Sequence, residues 1–253
     1  MNADRLQAAS ADDHALARIL ARSTGELLMS LRRVATLDGR PLGQAGDRIA
    51  QAHLDAALRM HRPDDGVLSE EAADDRSRLR KRRVWVIDPL DGTREFSEGR
   101  PDWAVHVALV LDGEPTAAAI SLPALDEVWC TRARTALAPA PAGPPRIVVS
   151  RSRPPAIAER VARILGATLV PMGSAGAKFA ALMRGEASAY VHDGGMNEWD
   201  SCAPAAVAAS MGLRVVRLDG SPMRYNRADP SLPDFVACRP ELAGRLDEAI
   251  RAA

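Results

Sequence analysis

The chain has 253 residues, 47% of them hydrophobic and 26% charged, with 33 basic and 33 acidic side chains and a formal net charge of +0. This composition excludes a disordered or fibrous chain, and at roughly 150 residues per domain the length allows one large domain or two small ones. Charge balance leaves no global field for a nucleic acid polymer or an anionic membrane. No apolar run approaches the roughly 18 residues that cross a bilayer, and Met1 to Arg5 lack the basic-then-apolar order of a secretory leader. Cys130, Cys202 and Cys238 are odd in number and far apart, with neither metal-ligand nor disulfide spacing. They read as buried thiols of a cytoplasmic protein. All but two of the 33 basic residues are arginine; Lys81 and Lys178 are the exceptions.

In chain order, the first 35 residues read as one long helix, with Leu16, Ile19, Leu20, Leu27, Leu31 and Val34 forming an apolar stripe. A second helical stretch runs from about Asp47 to Met60. It ends at His61-Arg62-Pro63-Asp64-Asp65-Gly66, a cluster of turn residues. Asp47 stands at its start, where an N-cap would sit. Strands follow at 67–68, 84–87, 103–111, 117–121 and 127–131, by β-rich composition and alternation. The arginines from Arg76 to Arg83 read as a solvated face. Residues 137–145 carry Pro139, Pro141, Pro144 and Pro145 and cannot be a helix or a central strand. They divide an N-terminal half, 1–136, from a C-terminal half, 146–253. The second half alternates: strand 146–149, helix 155–165, strand 168–170, helix 174–184, strand 187–191, helix 199–211, strands 213–218 and 234–238, and a terminal helix. Such alternation predicts an α/β layer.

The sharpest segment is Val84-Trp85-Val86-Ile87 followed by Asp88-Pro89-Leu90-Asp91-Gly92-Thr93. Pro89 biases Asp88 towards extended geometry, so the chain leaves the strand in a defined direction. Gly92 can take positive φ and admits close approach to the backbone. With a helix starting near Thr93, the Gly92 and Thr93 amides point at an anion. Two carboxylates three residues apart suit a hard divalent cation bound through oxygen.

Asp88 to Thr93 resembles the first signature of the lithium-sensitive, magnesium-dependent inositol monophosphatase superfamily. Trp199-Asp200 followed by small residues and Gly212 resembles its second signature, and Ser69-Glu70-Glu71 its Glu-Glu element. The resemblance runs from about Asp12 to the C-terminus. Within the superfamily the chain is most similar to the bacterial 3′(2′),5′-bisphosphate nucleotidase branch, through Arg94-Glu95-Phe96, Ser150 to Pro154, and Gly173-Ser174 with Lys178-Phe179. Inositol phosphatases usually carry asparagine at the place of Lys178. Ser210 and Leu213 depart from the family's small residues near the end of the helix after Asp200.

The resemblance implies alternating αβαβα layers, an antiparallel-sheet N-terminal half and an α/β C-terminal half, with the site between them. It implies two or three magnesium ions: one held by Glu70, Asp88 and the Leu90 carbonyl, another by Asp88, Asp91 and Asp200. Thr93, held by Asp47, would orient the attacking water. Leu90, Asp91, Gly92, Thr93 and Asp200 would surround the scissile phosphate, the Gly92 and Thr93 amides binding its oxygens. Gly173, Ser174 and Ala175 would meet the substrate at a helix N-terminus. Asp193 would take a hydroxyl, and Lys178, with Arg153, the second phosphate. Lys178 also has an alternative reading as a solvated helix lysine, Trp199 as core packing or a base stack, and His106 as a buried, hydrogen-bonded residue. His192 receives no role.

The implied activity is hydrolysis of 3′-phosphoadenosine 5′-phosphate, a by-product of sulfate assimilation, to AMP and phosphate, with its phosphosulfate form also open. An inositol-1-phosphatase or fructose-1,6-bisphosphatase is the alternative, and an inactive phosphate-binding module the remote one. Relatives are commonly homodimers.

Overall fold

In this computed structural model, residues 12–132 and 136–253 are described. Helix α1, Asp13–Val34, buries Leu16, Leu20 and Leu28. Asp12 caps it by accepting from the His14 amide at 3.0 Å, and Arg32 and Arg33 stand in its last turn, where the dipole favours cations. The part of the expected helix before Asp12 lies outside the described residues. Helix α2 spans Gly39–His61. It begins well before Asp47, which therefore lies inside the helix and does not cap it.

The first sheet has five strands in spatial order β1 to β5: Gly66–Ser69, Arg83–Asp91, Ala104–Leu111, Glu114–Leu122 and Glu127–Cys130. β1 pairs parallel with β2, and the remaining pairs are antiparallel. The second sheet holds β6 (Arg146–Ser150), β7 (Thr168–Met172), β8 (Ala189–His192), β10 (Arg214–Val216) and β12 (Phe235–Cys238). Its order is β10-β12-β8-β6-β7, parallel across β8, β6 and β7 and antiparallel elsewhere. β9 (Met196–Asn197) and β11 (Ser231–Leu232) form a small ribbon beside them.

Five layers result. α1 and α2 cover the outer face of the first sheet, and α4 (Ala156–Leu165) and α7 (Ala243–Ala252) cover the second. Between the sheets lie α5 (Ala175–Met183) and α6 (Glu198–Ser210). This middle layer is built of small side chains, among them Ala177, Ala180, Ala181, Ala203 and Ala208, so both sheets approach closely. Its core joins Leu68, Val86 and Ala108 of the first half to Phe179, Val207 and Phe235 of the second. Leu213 is buried there, and Ser210 bonds the Val207 carbonyl at 2.7 Å, so both departures from the family pattern are accommodated. Among the described residues, no helix is long and apolar enough to cross a membrane.

The arginine run needs correction at Arg78, which is only 1% exposed. Its guanidinium bonds Asp74 at 2.8 Å and the Asn226 side chain at 2.7 Å. Asn226 and Arg227 in turn donate their amides to the buried Glu198 carboxylate at 2.6 and 2.9 Å. This chain of bonds ties the loop after Glu70 to the start of α6.

Candidate active site

β2 delivers two aspartates to one place because its ladder breaks. The register with β3 slips between Asp88 and Asp91, where Pro89 offers no amide. Gly92 then turns at φ +88, and the short helix α3, Thr93–Ser97, begins. A Cβ on Gly92 would also approach Ser174 Cβ at 3.1 Å. The first turn of α6 brings Asp200. Oxygens of Asp88, Asp91 and Asp200 all lie within 4.8 Å of one another. Glu70, just beyond β1, faces the same cavity from its open side.

Each aspartate commits one oxygen to the fold. Asp88 Oδ1 accepts from the Leu90 amide at 3.0 Å, Asp91 Oδ2 from the Gly176 amide at 2.8 Å, and Asp200 Oδ2 from the Asn197 amide at 2.6 Å. The other oxygen of Asp88 is buried with no hydrogen-bond partner among the described residues. Orphaned buried carboxylate oxygens are costly unless a cation meets them. An all-oxygen, anionic donor set of this kind fits a hard metal ion.

The electrostatics agree. Burial, then the charges of Glu70, Asp91 and Asp200, hold Asp88 well above the usual carboxylate range. Burial and Asp91 push Asp200 up to about 6. Glu70 rises to about 7 through partial withdrawal from water, then through the like charges of Asp200, Asp91 and Glu71. Burial alone would raise Asp91 too, but His106, the Gly176 amide and Lys178 together hold this carboxylate low. His106 is fully buried, donates from Nδ1 to the Trp199 carbonyl at 3.1 Å, and places Nε2 3.1 Å from Asp91 Oδ2, off the hydrogen-bond axis. Trp199 packs against the central core and does not line the cavity, which settles its reading as packing.

The cavity has a volume of about 730 Å³. Thr93 lines it and donates to Asp47 Oδ1 at 3.1 Å; Asp47 stands behind it, pushed up to about 6 by burial and by Glu71. Gly173, Ser174 and Ala175 line it too. The Gly173 and Ser174 amides are already engaged, donating to Asp102 at 2.7 and 3.0 Å.

Lys178 is buried, which overturns the solvated reading. Its ammonium donates to the Gly173 and Ser174 carbonyls, and burial lowers its pKa to about 8. It reaches the cavity wall while holding the turn that starts α5. Asp193 is exposed and is not part of the wall, although its neighbours His192 and Gly194 are. Arg151 and His192, given no role from the sequence, and Tyr190, which drew no notice there, also line the cavity. Arg151 bonds Glu95 and Glu98 at 2.8 and 2.9 Å, and Tyr190 and His192 end β8. Neither residue of β8 belongs to a motif.

A layered αβαβα fold with aspartates clustered between its sheets defines a class of metal-dependent phosphatase. A profile of the inositol monophosphatase family matches residues 15–252, and the chain belongs to that family. It is 51% identical to the 3′-phosphoadenosine 5′-phosphate phosphatase of Mycobacterium leprae, over 94% of this chain and 93% of that protein. It is 30% identical to the 3′(2′),5′-bisphosphate nucleotidase CysQ of Escherichia coli K12, over 85% of this chain and 95% of that one. Among solved structures, CysQ from Bacteroides thetaiotaomicron superposes with a TM-score of 0.77 at 27% identity, covering 88% of this chain and 95% of its own. An Anabaena inositol monophosphatase superposes at 0.75 with 20% identity, covering 95% of each chain.

Proposed function

We propose that the protein is a magnesium-dependent phosphatase that removes the 3′-phosphate of 3′-phosphoadenosine 5′-phosphate, leaving AMP and phosphate. The observation that carries this is the cluster of Asp88, Asp91 and Asp200 in a cavity that Arg94, Arg151, Arg153 and Lys178 also line. Carboxylates and cations lining one cavity suit a substrate with two phosphates, one reacting and one anchored. The relatives bearing that substrate's name cover nearly the whole chain.

Glu70, Asp88, the Leu90 carbonyl, Asp91 and Asp200 would hold magnesium. Bound there, the ion supplies Lewis-acid neutralisation of the phosphate and of the departing oxygen. The chain's own groups do the rest. Thr93 Oγ donates its proton to Asp47, which leaves its lone pairs to accept from a water and fix that water's direction of attack. Gly92 and Thr93 present backbone to the phosphoryl oxygens at the start of α3. His106 and Gly176 keep Asp91 ionised and aimed. Lys178 holds the turn of Gly173 and Ser174 against the substrate. The buried, unpaired cysteines accord with work in a reducing cytoplasm.

The test is phosphate release with magnesium, comparing kcat/KM for 3′-phosphoadenosine 5′-phosphate, inositol 1-phosphate and fructose 1,6-bisphosphate. A nucleotide preference of about 100-fold, roughly 2.7 kcal/mol of transition-state binding, is expected. Comparable rates on all three would make it a broad sugar-phosphate phosphatase, and no release would overturn the reading.

A further inference from the structure

The cavity wall is not uniform in chemistry. Besides the carboxylates, the arginines and Lys178, the cavity is lined by Met172, Tyr190, His192, Gly194, Gly195 and Met196, none of which carries a formal charge. Their aromatic rings and thioethers offer a neutral heterocycle surface to lie on, with the Lys178 ammonium 5.3 Å from the Tyr190 ring centroid. Tyr190 turns its hydroxyl to Met196 Sδ at 3.7 Å, so it is already engaged.

His192 differs. Its ring stacks on Phe235 with centroids 5.8 Å apart and planes 6° from parallel, and it stands edge-on to Tyr190. The Gly194 amide donates to its Nδ1 at 3.2 Å. An amide hydrogen can only meet a nitrogen lone pair, so the ring proton sits on Nε2. Nε2 has no protein partner among the described residues and is not one of the sealed, unsatisfied atoms. Burial, with the positive charges of Lys178 and Arg153, keeps the ring neutral down to about pH 4 against a weaker opposing pull from Asp193.

We infer that His192 is a specificity residue: its Nε2–H, fixed in tautomer and orientation, donates to an acceptor nitrogen of the substrate's base lying along this uncharged wall. The inference rests on the nucleotidase reading above and deepens it. His192 takes no part in the phosphate chemistry and sets only which leaving group is held.

The test compares 3′-phosphoadenosine 5′-phosphate with ribose 3,5-bisphosphate, which is the same substrate without the base. In wild type the ratio of kcat/KM should favour the nucleotide. His192→Phe keeps a stacked ring without a donor, and should cut that ratio about 10-fold, through KM, with the abasic rate unchanged. His192→Gln restores a donor and should recover most of the ratio. Should His192→Phe fail to fold, the ratio for His192→Ala decides. A Phe variant with the wild-type ratio overturns the inference alone. A wild type that treats both substrates equally also overturns it and leaves the phosphatase standing. Release from neither substrate defeats the nucleotidase reading and this inference with it.

Discussion

Gly176 offers the most direct test of how the two sheets cooperate. It lies in the first turn of α5, its amide donates to Asp91 Oδ2 at 2.8 Å, and a Cβ built on it would stand 2.5 Å from His106 Nε2 and 2.7 Å from Ala104 Cβ. Both distances are far below van der Waals contact, and neither neighbour is a flexible chain end. Gly176→Ala must therefore push α5 away from β3 or turn His106 out of place. Overpacking of this kind costs about 1–3 kcal/mol. Because the same movement lengthens the Gly176–Asp91 bond and disturbs the His106 contact, kcat/KM should fall by about 10²-fold, the scale expected for a misplaced catalytic geometry. Thermal unfolding in EDTA and magnesium-dependent phosphate release measure the two effects separately. Gly244→Ala is the control: it lies exposed in α7 with open space around it, and should stabilise by about 0.5–1 kcal/mol with activity intact. If Gly176→Ala unfolds and turns over like wild type, the close packing of α5 on Asp91 and His106 does not govern the site.

Asp88→Asn removes a carboxyl that the metal-free fold must either bury charged or protonate, so in EDTA it should be about 1–3 kcal/mol more stable than wild type, while the rise in Tm on adding magnesium disappears; a variant less stable in EDTA would contradict this. Thr93→Val should lower kcat by about 10²-fold or more with KM little changed, and Thr93→Ser should recover most of it, as read by steady-state kinetics. His192, pushed down to about 4 from 6.5, stays neutral in the fold while the unfolded chain protonates. Its contribution is therefore present above pH 6.5 and is lost as pH falls towards 4, up to about 3 kcal/mol. Denaturant unfolding of His192→Gln should show a correspondingly flatter loss over that window than wild type.

The metal-site motif was legible because its chemistry demands particular residue types at fixed spacing: Asp88 and Asp91 flank a proline-made break, and Gly92 has the positive φ expected of it. The start of α2 was not legible, and the reason is local. Pro41, Gly43 and Gly46 read as helix breakers, yet Pro41 falls in the first turn, where a missing amide is tolerated. A Cβ on Gly43 would meet Thr93 Cγ2 at 2.8 Å, and one on Gly46 would meet Leu90 Cδ2 at 2.8 Å. These glycines are there so that α2 can press Asp47 against Thr93. The burial of Lys178 was not legible for a different reason: its partners are backbone carbonyls, which leave no signature in sequence. Arg78 looked like surface because its partner Asn226 lies far along the chain. His192 ends a strand without any motif, and only the folded wall shows what it faces.

The shared middle layer also limits how such an enzyme can diversify. α6 belongs to the second half by chain order but carries Asp200 and packs on the strands of the first sheet. Exchanging one half for that of a distant relative would break the core and the cation site in a single step, so new specificities cannot arise by shuffling halves. Variation has room in the loop stretches that line the cavity outside the core, namely 151–153 and 194–195. Descendants of one ancestral phosphatase would therefore keep the same carboxylates while parting company over which molecule carries the phosphate.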